Sequence, residues 1–215
     1  MGLEKFADAK RRFVEDGTVM MELDESFLSE EDFAKLEDLS AQLPYEHVEI
    51  GDAGEVNYLT VGRFMTDVER PMRVNRPISD KAIEIVTRDE VVEACKYLLD
   101  SPNLFVRRMQ VNCMKKGCFV GYHLDTDSNP DYKVAVVLQL GQEFEGGEYI
   151  VHGGGKPPRH FSPGYRSVIV SNCEYPHEVS EVTEGERVSL VYFLSEEAGE
   201  NRRSEIERKK ESATA

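Results

Sequence analysis

Seven short apolar segments separated by glycine- or proline-containing turns fill the second half of this 215-residue chain, and they constrain its fold more than any other feature. Each segment has the length and the β-branched or aromatic content of a strand. The predicted strands cover residues 104–114, 119–124, 132–140, 148–151, 167–170, 177–179 and 187–194. Strands of this number whose edges are hidden predict a double-sheet jelly roll, the double-stranded β-helix.

The first hundred residues predict helices that pack on one sheet of this core. Residues 3–15 are amphipathic and stop at Gly17, and Ser29 begins a capping box ahead of a second helix that ends at Pro44. The other predicted elements are strands at 18–23 and 57–65, a loop at 66–78, and helix from 79 to 99 with a break near residue 88. Helices followed by strands make an α+β fold.

One domain is predicted for residues 1–195, with residues 1–100 as a helical and strand support region and 103–195 as the jelly-roll core. Residues 196–215 form a charged tail whose one aliphatic side chain larger than alanine is Ile206. A segment this polar buries too little apolar surface to offset the cost of ordering. The tail is therefore predicted to be flexible and dispensable.

Composition restricts the partners and the compartment. The net charge of −15 argues against nucleic acid, because phosphate contacts need a basic surface. No apolar run approaches the roughly 20 residues of a membrane span, and the first ten residues lack a signal-peptide core. The four cysteines contain no CxxC pair, which favours reduced, buried thiols and a cytoplasmic location. A soft-metal site at Cys113 and Cys118 is the less favoured alternative.

Two histidines and an aspartate predict one divalent metal site. His123 and Asp125 are two apart in a predicted strand, so their side chains are expected on one face, and His177 must arrive from a distant strand. Two imidazoles and one carboxylate are the facial triad that holds Fe(II) with open positions. Asp127 is a rival ligand, but Ser128-Asn-Pro130 indicates that the strand ends before it.

An arginine ten residues after His177 predicts a carboxylate clamp. Arg187 alternates with apolar residues in the last predicted strand, so Arg187 and Ser189 share a face that is expected to be internal. A buried guanidinium is costly unless a carboxylate pairs with it.

The ordered set His123-x-Asp125, His177 and Arg187 resembles the Fe(II)/2-oxoglutarate-dependent dioxygenases, in particular their prolyl-4-hydroxylase-like branch. The resemblance covers residues 103–195 and is supported by Gly117, Phe144-Glu-Gly-Gly-Glu-Tyr149 and Phe161-Ser-Pro-Gly164. It implies the jelly-roll fold, Fe(II), O2, 2-oxoglutarate as co-substrate and ascorbate as a reductant. It also implies that Arg187 and Ser189 hold the distal carboxylate of 2-oxoglutarate.

One position departs from the family pattern. Other members contact the same carboxylate with a tyrosine on an early strand, and the comparable position here is Met114. Tyr122 is the substitute considered, and Tyr149 is a further candidate for the cavity. Arg108, Gln110 and Asn112 alternate along one predicted strand and form either a solvent face or a polar cavity wall.

The predicted function is oxidation, by hydroxylation, of an unactivated C–H bond of a small amino-acid-like metabolite, with release of succinate and CO2. A small molecule is favoured over a protein substrate, and the arginine-bearing loop 66–78 is interpreted as a lid. The alternatives are a hydroxylase of prolyl or other residues in a protein or peptide, and a metalloenzyme or binding protein without 2-oxoglutarate on a cupin-like barrel. The substrate's identity and the oligomeric state stay open.

Overall fold

A computed structural model describes residues 2–203, and within them four α-helices precede most of the strands. The helices are α1 (Ala7–Asp16), α2 (Glu30–Ser40), α3 (Ile78–Val86) and α4 (Asp89–Leu99). The sequence signals for their ends are confirmed, since Gly17 closes α1 in the left-handed conformation and Ser29 forms a capping box with Asp32. No helix in this part of the chain is long and apolar enough to cross a membrane.

Thirteen strands lie within the described residues. They are β1 (Thr18–Met21), β2 (Tyr45–Ile50), β3 (Val56–Asp67), β4 (Pro71–Arg73), β5 (Phe105–Lys115), β6 (Phe119–His123), β7 (Val134–Gln139), β8 (Phe144–Gly146), β9 (Tyr149–Gly153), β10 (Lys156–Phe161), β11 (Val168–Asn172), β12 (His177–Val179) and β13 (Val182–Ser195). All seven strands predicted in the second half are present, whereas β2, β4, β8 and β10 were not predicted.

The strands form one antiparallel sheet in the order β1-β11-β7-β13-β5-β3-β6-β12-β9-β10. Strand β3 joins two halves of this sheet, because its residues 60–65 pair with β5 and its residues 57–58 pair with β6. The sheet thereby curves around an interior, and the predicted jelly-roll, or double-stranded β-helix, fold is confirmed.

Alternation along the central strands divides the core in two. Leu190, Tyr192 and Leu194 of β13 point to one side of the sheet and pack against the four helices, as predicted for helices that cover one sheet. Val191 and Phe193 point to the opposite side and pack in the barrel interior. Arg187 and Ser189 share that interior parity and are buried, which confirms the predicted face of β13.

The continuous loop predicted at residues 66–78, and its interpretation as a lid, are not found, because only residues 68–70 and 74–77 lie outside strands and helices. Strand β3 continues to Asp67, and Pro71 begins the edge strand β4, where proline removes no ladder hydrogen bond. Arg73 and Arg76 both pair with Asp80 at the start of α3, at 3.0 and 2.8 Å. These pairs direct both arginines away from the central cavity.

The first part of the charged tail, residues 196–203, is attached to the body rather than free. Asn201 is buried, and its side-chain amide donates to the backbone oxygens of Asp67 and Ser128 at 2.8 and 3.2 Å. Arg107, fully buried against the Asp67 carboxylate, donates to the Glu197 carbonyl at 2.8 Å. The rest of the tail, residues 204–215, lies outside the described residues.

Replacing Asn201 with alanine is expected to destabilise the protein, contrary to the view of the whole tail as dispensable. The change leaves two backbone oxygens at a buried position without a donor, which costs about 1–3 kcal/mol. Thermal unfolding should then shift down by several degrees, whereas Glu200→Ala, at an exposed neighbouring position, serves as the control. Equal melting temperatures for the two variants would show that these contacts contribute nothing.

Candidate metal centre

Antiparallel pairing of two short strands brings the two predicted histidines together. His177 at the start of β12 is in register with His123 at the end of β6, and their ring centroids are 4.3 Å apart. Both rings point into the barrel interior. The convergence that the sequence predicted is therefore produced by strand register between residues far apart in the chain.

Asp125 reaches the same place by a different route from the one predicted. Strand β6 ends at His123, Leu124 remains extended, and Asp125 begins a 3-10 turn that runs to Asp127. The two side chains converge as predicted, but the predicted reason is wrong, because a turn rather than strand parity brings Asp125 beside His123. The turn directs Asp125 inward and leaves Asp127, the rival ligand, exposed.

The three side chains have the spacing of a metal site. His123 Nε2 lies 3.4 Å from Asp125 Oδ1, and His177 Nε2 lies 3.7 Å from Asp125 Oδ2. One ligand atom from each residue falls within 4.8 Å of the others, and the described residues contain no second such group of His, Cys, Asp or Glu. Asp125 and His177 are buried, and His123 is partly buried.

The outer contacts of the trio fit a bound cation. His123 Nδ1 donates to the Gly121 carbonyl at 2.7 Å and His177 Nδ1 to the Tyr175 carbonyl at 3.2 Å, so both Nε2 atoms face the centre. Asp125 Oδ2 is buried and has no hydrogen-bond donor among the described residues. Because a buried carboxylate oxygen without a donor is costly, a divalent ion is the partner that this arrangement lacks.

Charges among His123, Asp125 and His177 favour a bound proton on His123, at the position that a metal ion would take. Burial lowers the pKa of His123, but the hydrogen bond and charge of Asp125 outweigh it and raise the pKa to about 9. At His177 burial prevails and lowers the pKa. Burial acts to raise the pKa of Asp125, and the two imidazoles outweigh it, so that pKa is lowered. A divalent ion competes with this proton, because imidazole binds metals in its neutral form.

A buried guanidinium lines the same interior. Arg187 is 1% exposed, and its Nη1 contacts Ser189 Oγ at 3.2 Å and Met114 Sδ at 3.8 Å. Its Nε and Nη2 have no acceptor among the described residues. Burial lowers the pKa of Arg187 to about 10, so it is still protonated at neutral pH. An anionic ligand is therefore needed to pair with it.

Two neighbours shape the space around this guanidinium. Gly147, in the turn between β8 and β9, has a φ of +63°, and a Cβ there would lie 2.8 Å from Arg187 Cδ. Tyr149 is 3% exposed, and its hydroxyl has no partner in the described residues. The Glu-Gly-Gly-Glu turn thus admits the arginine and presents a free hydroxyl near it.

A cavity of about 330 Å³ connects the trio with Arg187. Its lining includes the three candidate ligands, Arg187, Ser189, Tyr149, Arg108, Gln110, Asn112, several apolar side chains, and residues 46–52, 55, 57 and 63. Arg108, Gln110 and Asn112 are joined in a row by hydrogen bonds of 2.9 and 2.8 Å. All three side chains line the cavity, and their role toward a ligand stays a prediction.

Other predicted candidates lie elsewhere. Tyr122 has the opposite parity to His123 on β6, is 58% exposed and contacts His152, so its assignment to the cavity is wrong. His152 and His160 pair with Glu178 and Glu148 instead of lining the cavity.

No cysteine belongs to a group of three or more potential metal ligands within the described residues. Cys173 is fully buried beside Asp125, and burial together with that carboxylate raises the pKa of its thiol well above its ordinary value. Cys113 and Cys118 both line a separate surface groove rather than the central cavity.

The part of the site that sequence reasoning missed is the β2–β3 hairpin, residues 45–58. It covers the cavity with Glu46, Glu49, Asp52 and Glu55. The sequence signal was an apolar and charged alternation interrupted by Gly51 and Gly54, which resembles a short hairpin. Only the pairing of β3 with β5 and β6 places this hairpin over the metal centre.

Comparison with known proteins agrees with this geometry. Residues 109–195 match the sequence model of the 2OG-Fe(II) oxygenase superfamily. Among curated proteins, none has a sequence that matches this chain significantly. Among solved structures, the chain is similar to an oxidoreductase of the 2OG-Fe(II) oxygenase family from Burkholderia pseudomallei, with 40% identity over 94% of this chain and 95% of that one and a TM-score of 0.86.

More distant structures share the fold. A Pseudomonas putida prolyl-4-hydroxylase is 17% identical over 89% of this chain and 99% of its own, with a TM-score of 0.62. The epimerase SnoN, in complex with Fe3+, alpha ketoglutarate and nogalamycin RO, is 14% identical over 90% and 83%, with a TM-score of 0.64. The 40% identity to the Burkholderia protein over nearly the full length shows the family. This chain therefore belongs to the 2OG-Fe(II) oxygenase family and is an iron- and 2-oxoglutarate-dependent dioxygenase.

Proposed function

We propose that this dioxygenase holds Fe(II) through His123, Asp125 and His177 and anchors the distal carboxylate of 2-oxoglutarate on Arg187. The observation that carries the proposal is that two unsatisfied groups open onto one cavity. One is the donor-free Asp125 oxygen between two Nε2 atoms, and the other is a buried guanidinium with two free nitrogens. A divalent cation satisfies the first, and a carboxylate satisfies the second.

The residues around Arg187 orient the co-substrate. Ser189 Oγ, 3.2 Å from the guanidinium, can donate to the same carboxylate. The free hydroxyl of Tyr149 is the second donor, in place of the tyrosine that the family carries where this chain has Met114. Met114 instead packs on the guanidinium and shields it from water.

The remaining side chains hold the metal ligands and exclude solvent. The carbonyls of Gly121 and Tyr175 fix the orientation of the two imidazole rings, and Val and Ala side chains form the apolar part of the cavity wall. Iron with 2-oxoglutarate and O2, when bound, supplies the oxidation of a C–H bond with release of succinate and CO2. The protein's part is to bind and orient the reactants.

A small amino-acid-like metabolite, hydroxylated at an unactivated C–H bond, is the proposed substrate. The cavity of about 330 Å³ is at the lower end of small-ligand sites, which span roughly 300–1,000 Å³. The co-substrate takes part of this volume. The row Arg108, Gln110 and Asn112 supplies polar groups on the wall, and the remaining space suits a molecule of amino-acid size.

A hydroxylase of prolyl or other residues in a protein or peptide is the second candidate. It is supported by the similarity in fold to the Pseudomonas prolyl-4-hydroxylase. The same fold is found in SnoN, in complex with nogalamycin RO. The substrate class therefore has to be tested on this protein.

Substrate-coupled succinate release should separate the two candidates. The Fe(II) protein is incubated with 2-oxoglutarate, O2 and a panel of free amino acids and small carboxylates, and in parallel with proline-containing peptides. We expect succinate and a product heavier by one oxygen atom only with a small molecule, because the cavity is small. Turnover confined to peptides would reject the small-molecule assignment and favour the second candidate.

A further inference from the structure

The β2–β3 hairpin presents a carboxylate to the cavity that has no cationic partner. Glu55 is half-buried and lines the cavity, and within residues 2–203 no Lys, Arg or His side chain forms an ion pair with it. Of the three arginines that line the cavity, Arg63 pairs with Glu46 at 2.7 Å and Arg108 with Asp52, and Arg187 is assigned to the co-substrate. Outside that lining, Arg203 donates to the Asp52 carbonyl. The charge of Glu55 is therefore available to a ligand.

Hydrogen bonds hold this carboxylate in place relative to the metal centre. Its Oε1 accepts from Asn57 Nδ2 at 2.9 Å and its Oε2 from the Ala53 amide at 3.1 Å. The buried Asn57 in turn accepts from the Gly121 amide at 3.1 Å, and the Gly121 carbonyl binds His123. Glu55 is thus connected through two residues to a proposed iron ligand.

Backbone geometry at Gly51 and the contact with Asn57 agree with a Glu55 carboxylate held near the metal centre. The Glu55 side chain folds over Gly51, where a Cβ would lie 1.7 Å from Oε1, so the turn requires glycine to keep the carboxylate there. The hydrogen bonds from Glu55 through Asn57 and Gly121 to His123 place it on the metal side of the cavity. The carboxylate is thus preorganised by the Ala53 amide and by Asn57 rather than by an ion pair.

We propose that the substrate carries a side-chain ammonium or guanidinium that pairs with Glu55. The inference rests on the proposed function and deepens it, because it names the charge of the substrate. The cation would lie on the metal side of the cavity, next to Glu55. Charge-assisted hydrogen bonds of this kind are short and directional, so Glu55 also orients the C–H bond that is oxidised. A free basic amino acid and a lysine or arginine residue of a peptide both carry this cation, and the probes distinguish the two sources.

Matched probes test this proposal. Under anaerobic conditions, calorimetry on the Fe(II)- and 2-oxoglutarate-loaded protein compares lysine with norleucine and arginine with citrulline. The same residues in blocked tripeptides distinguish the free amino acid from the peptide source. We expect the cationic member of each pair to bind at least about tenfold more tightly, the factor that one charge-assisted hydrogen bond supplies.

The variants assign any preference to Glu55. Glu55→Gln should reduce the ratio between cationic and neutral probes to near one, and Gly51→Ala, which keeps the charge but displaces it, should reduce it as well. Glu84→Gln, an exposed change of equal charge on α3, should keep the wild-type ratio. The affinity for 2-oxoglutarate, measured on each variant, should be unchanged and reports an intact site.

The outcomes separate this inference from the function on which it rests. Equal binding of cationic and neutral probes, or a preference that survives Glu55→Gln, overturns the role of Glu55 and leaves the dioxygenase assignment intact. Binding of none of the probes, with normal 2-oxoglutarate binding, overturns both the basic substrate and the amino-acid size class. Failure of the wild-type protein to bind 2-oxoglutarate would instead contradict the proposed co-substrate site.

Discussion

Replacing His177 with alanine is expected to abolish iron binding and turnover. The variant removes one of three ligand atoms that lie within 4.8 Å of one another and leaves the Asp125 carboxylate with a single imidazole neighbour. Loss of an outer partner of a metal ligand already costs about 10–100-fold in affinity or activity. Loss of a ligand itself should therefore reduce Fe(II) affinity by more than about 100-fold. Calorimetric titration with Fe(II) under argon measures this, and succinate release measures turnover.

The control for this variant is His160→Ala. His160 is an exposed strand histidine paired with Glu148, so its loss removes an imidazole without touching the cavity. It should bind Fe(II) like the wild-type protein. Normal turnover by His177→Ala would show that the ligand assignment is wrong. Other divalent transition metals can occupy the same ligand set. Retention of Mn(II) or Co(II) binding by His177→Ala would therefore also contradict the ligand assignment.

Replacing Arg187 with methionine is expected to remove 2-oxoglutarate binding without destabilising the protein. Loss of one partner of a buried, hydrogen-bonded charge pair costs about 2–5 kcal/mol, which raises the dissociation constant for 2-oxoglutarate by more than tenfold. Without the co-substrate, Arg187 is buried with two free nitrogens, so an apolar side chain of similar length should be neutral or stabilising. The melting temperature should then no longer rise when 2-oxoglutarate is added.

Two conservative variants refine this result. Arg187→Lys keeps the charge but loses the planar pair of donors and should restore only part of the affinity. Ser189→Ala removes one neutral hydrogen bond and should cost less, about 0.5–1.5 kcal/mol. If Arg187→Met binds 2-oxoglutarate as tightly as the wild-type protein does, the carboxylate clamp lies elsewhere in the cavity. A strong fall in its melting temperature would mean that Arg187 has a structural partner.

The local sequence pattern was sufficient to predict features that depend only on neighbouring residues. The alternation of side chains along a strand depends only on backbone geometry, so the internal face of Arg187 and Ser189 could be predicted from the sequence. The same holds for the Ser29 capping box and for the glycine that ends α1, since each involves residues within one helical turn. The ordered histidine, aspartate and arginine motif was specific enough to indicate the family, which the comparisons confirm.

Other predictions failed because a pattern has more than one structural solution. His123 and Asp125 converge through a strand end followed by a 3-10 turn, and period-2 alternation cannot distinguish this from a continuous strand. Residues 66–78, with two prolines and three arginines, resembled a loop, but pairing with β3 makes part of the segment an edge strand. The charged tail lacks apolar residues, yet Asn201 is held by backbone oxygens that no composition argument reveals.

By itself, the sequence determined the jelly-roll core, the family motif and the side of β13 that faces inward, because short-range periodicity and residue type encode them. Only the tertiary structure decided which residues surround the site. The β2–β3 hairpin covers the metal centre because β3 pairs with both β5 and β6, and Glu55 is fixed there by Asn57, which binds a residue 64 positions later. Such contacts depend on how distant strands are ordered in the sheet, and no local pattern in the chain specifies that order.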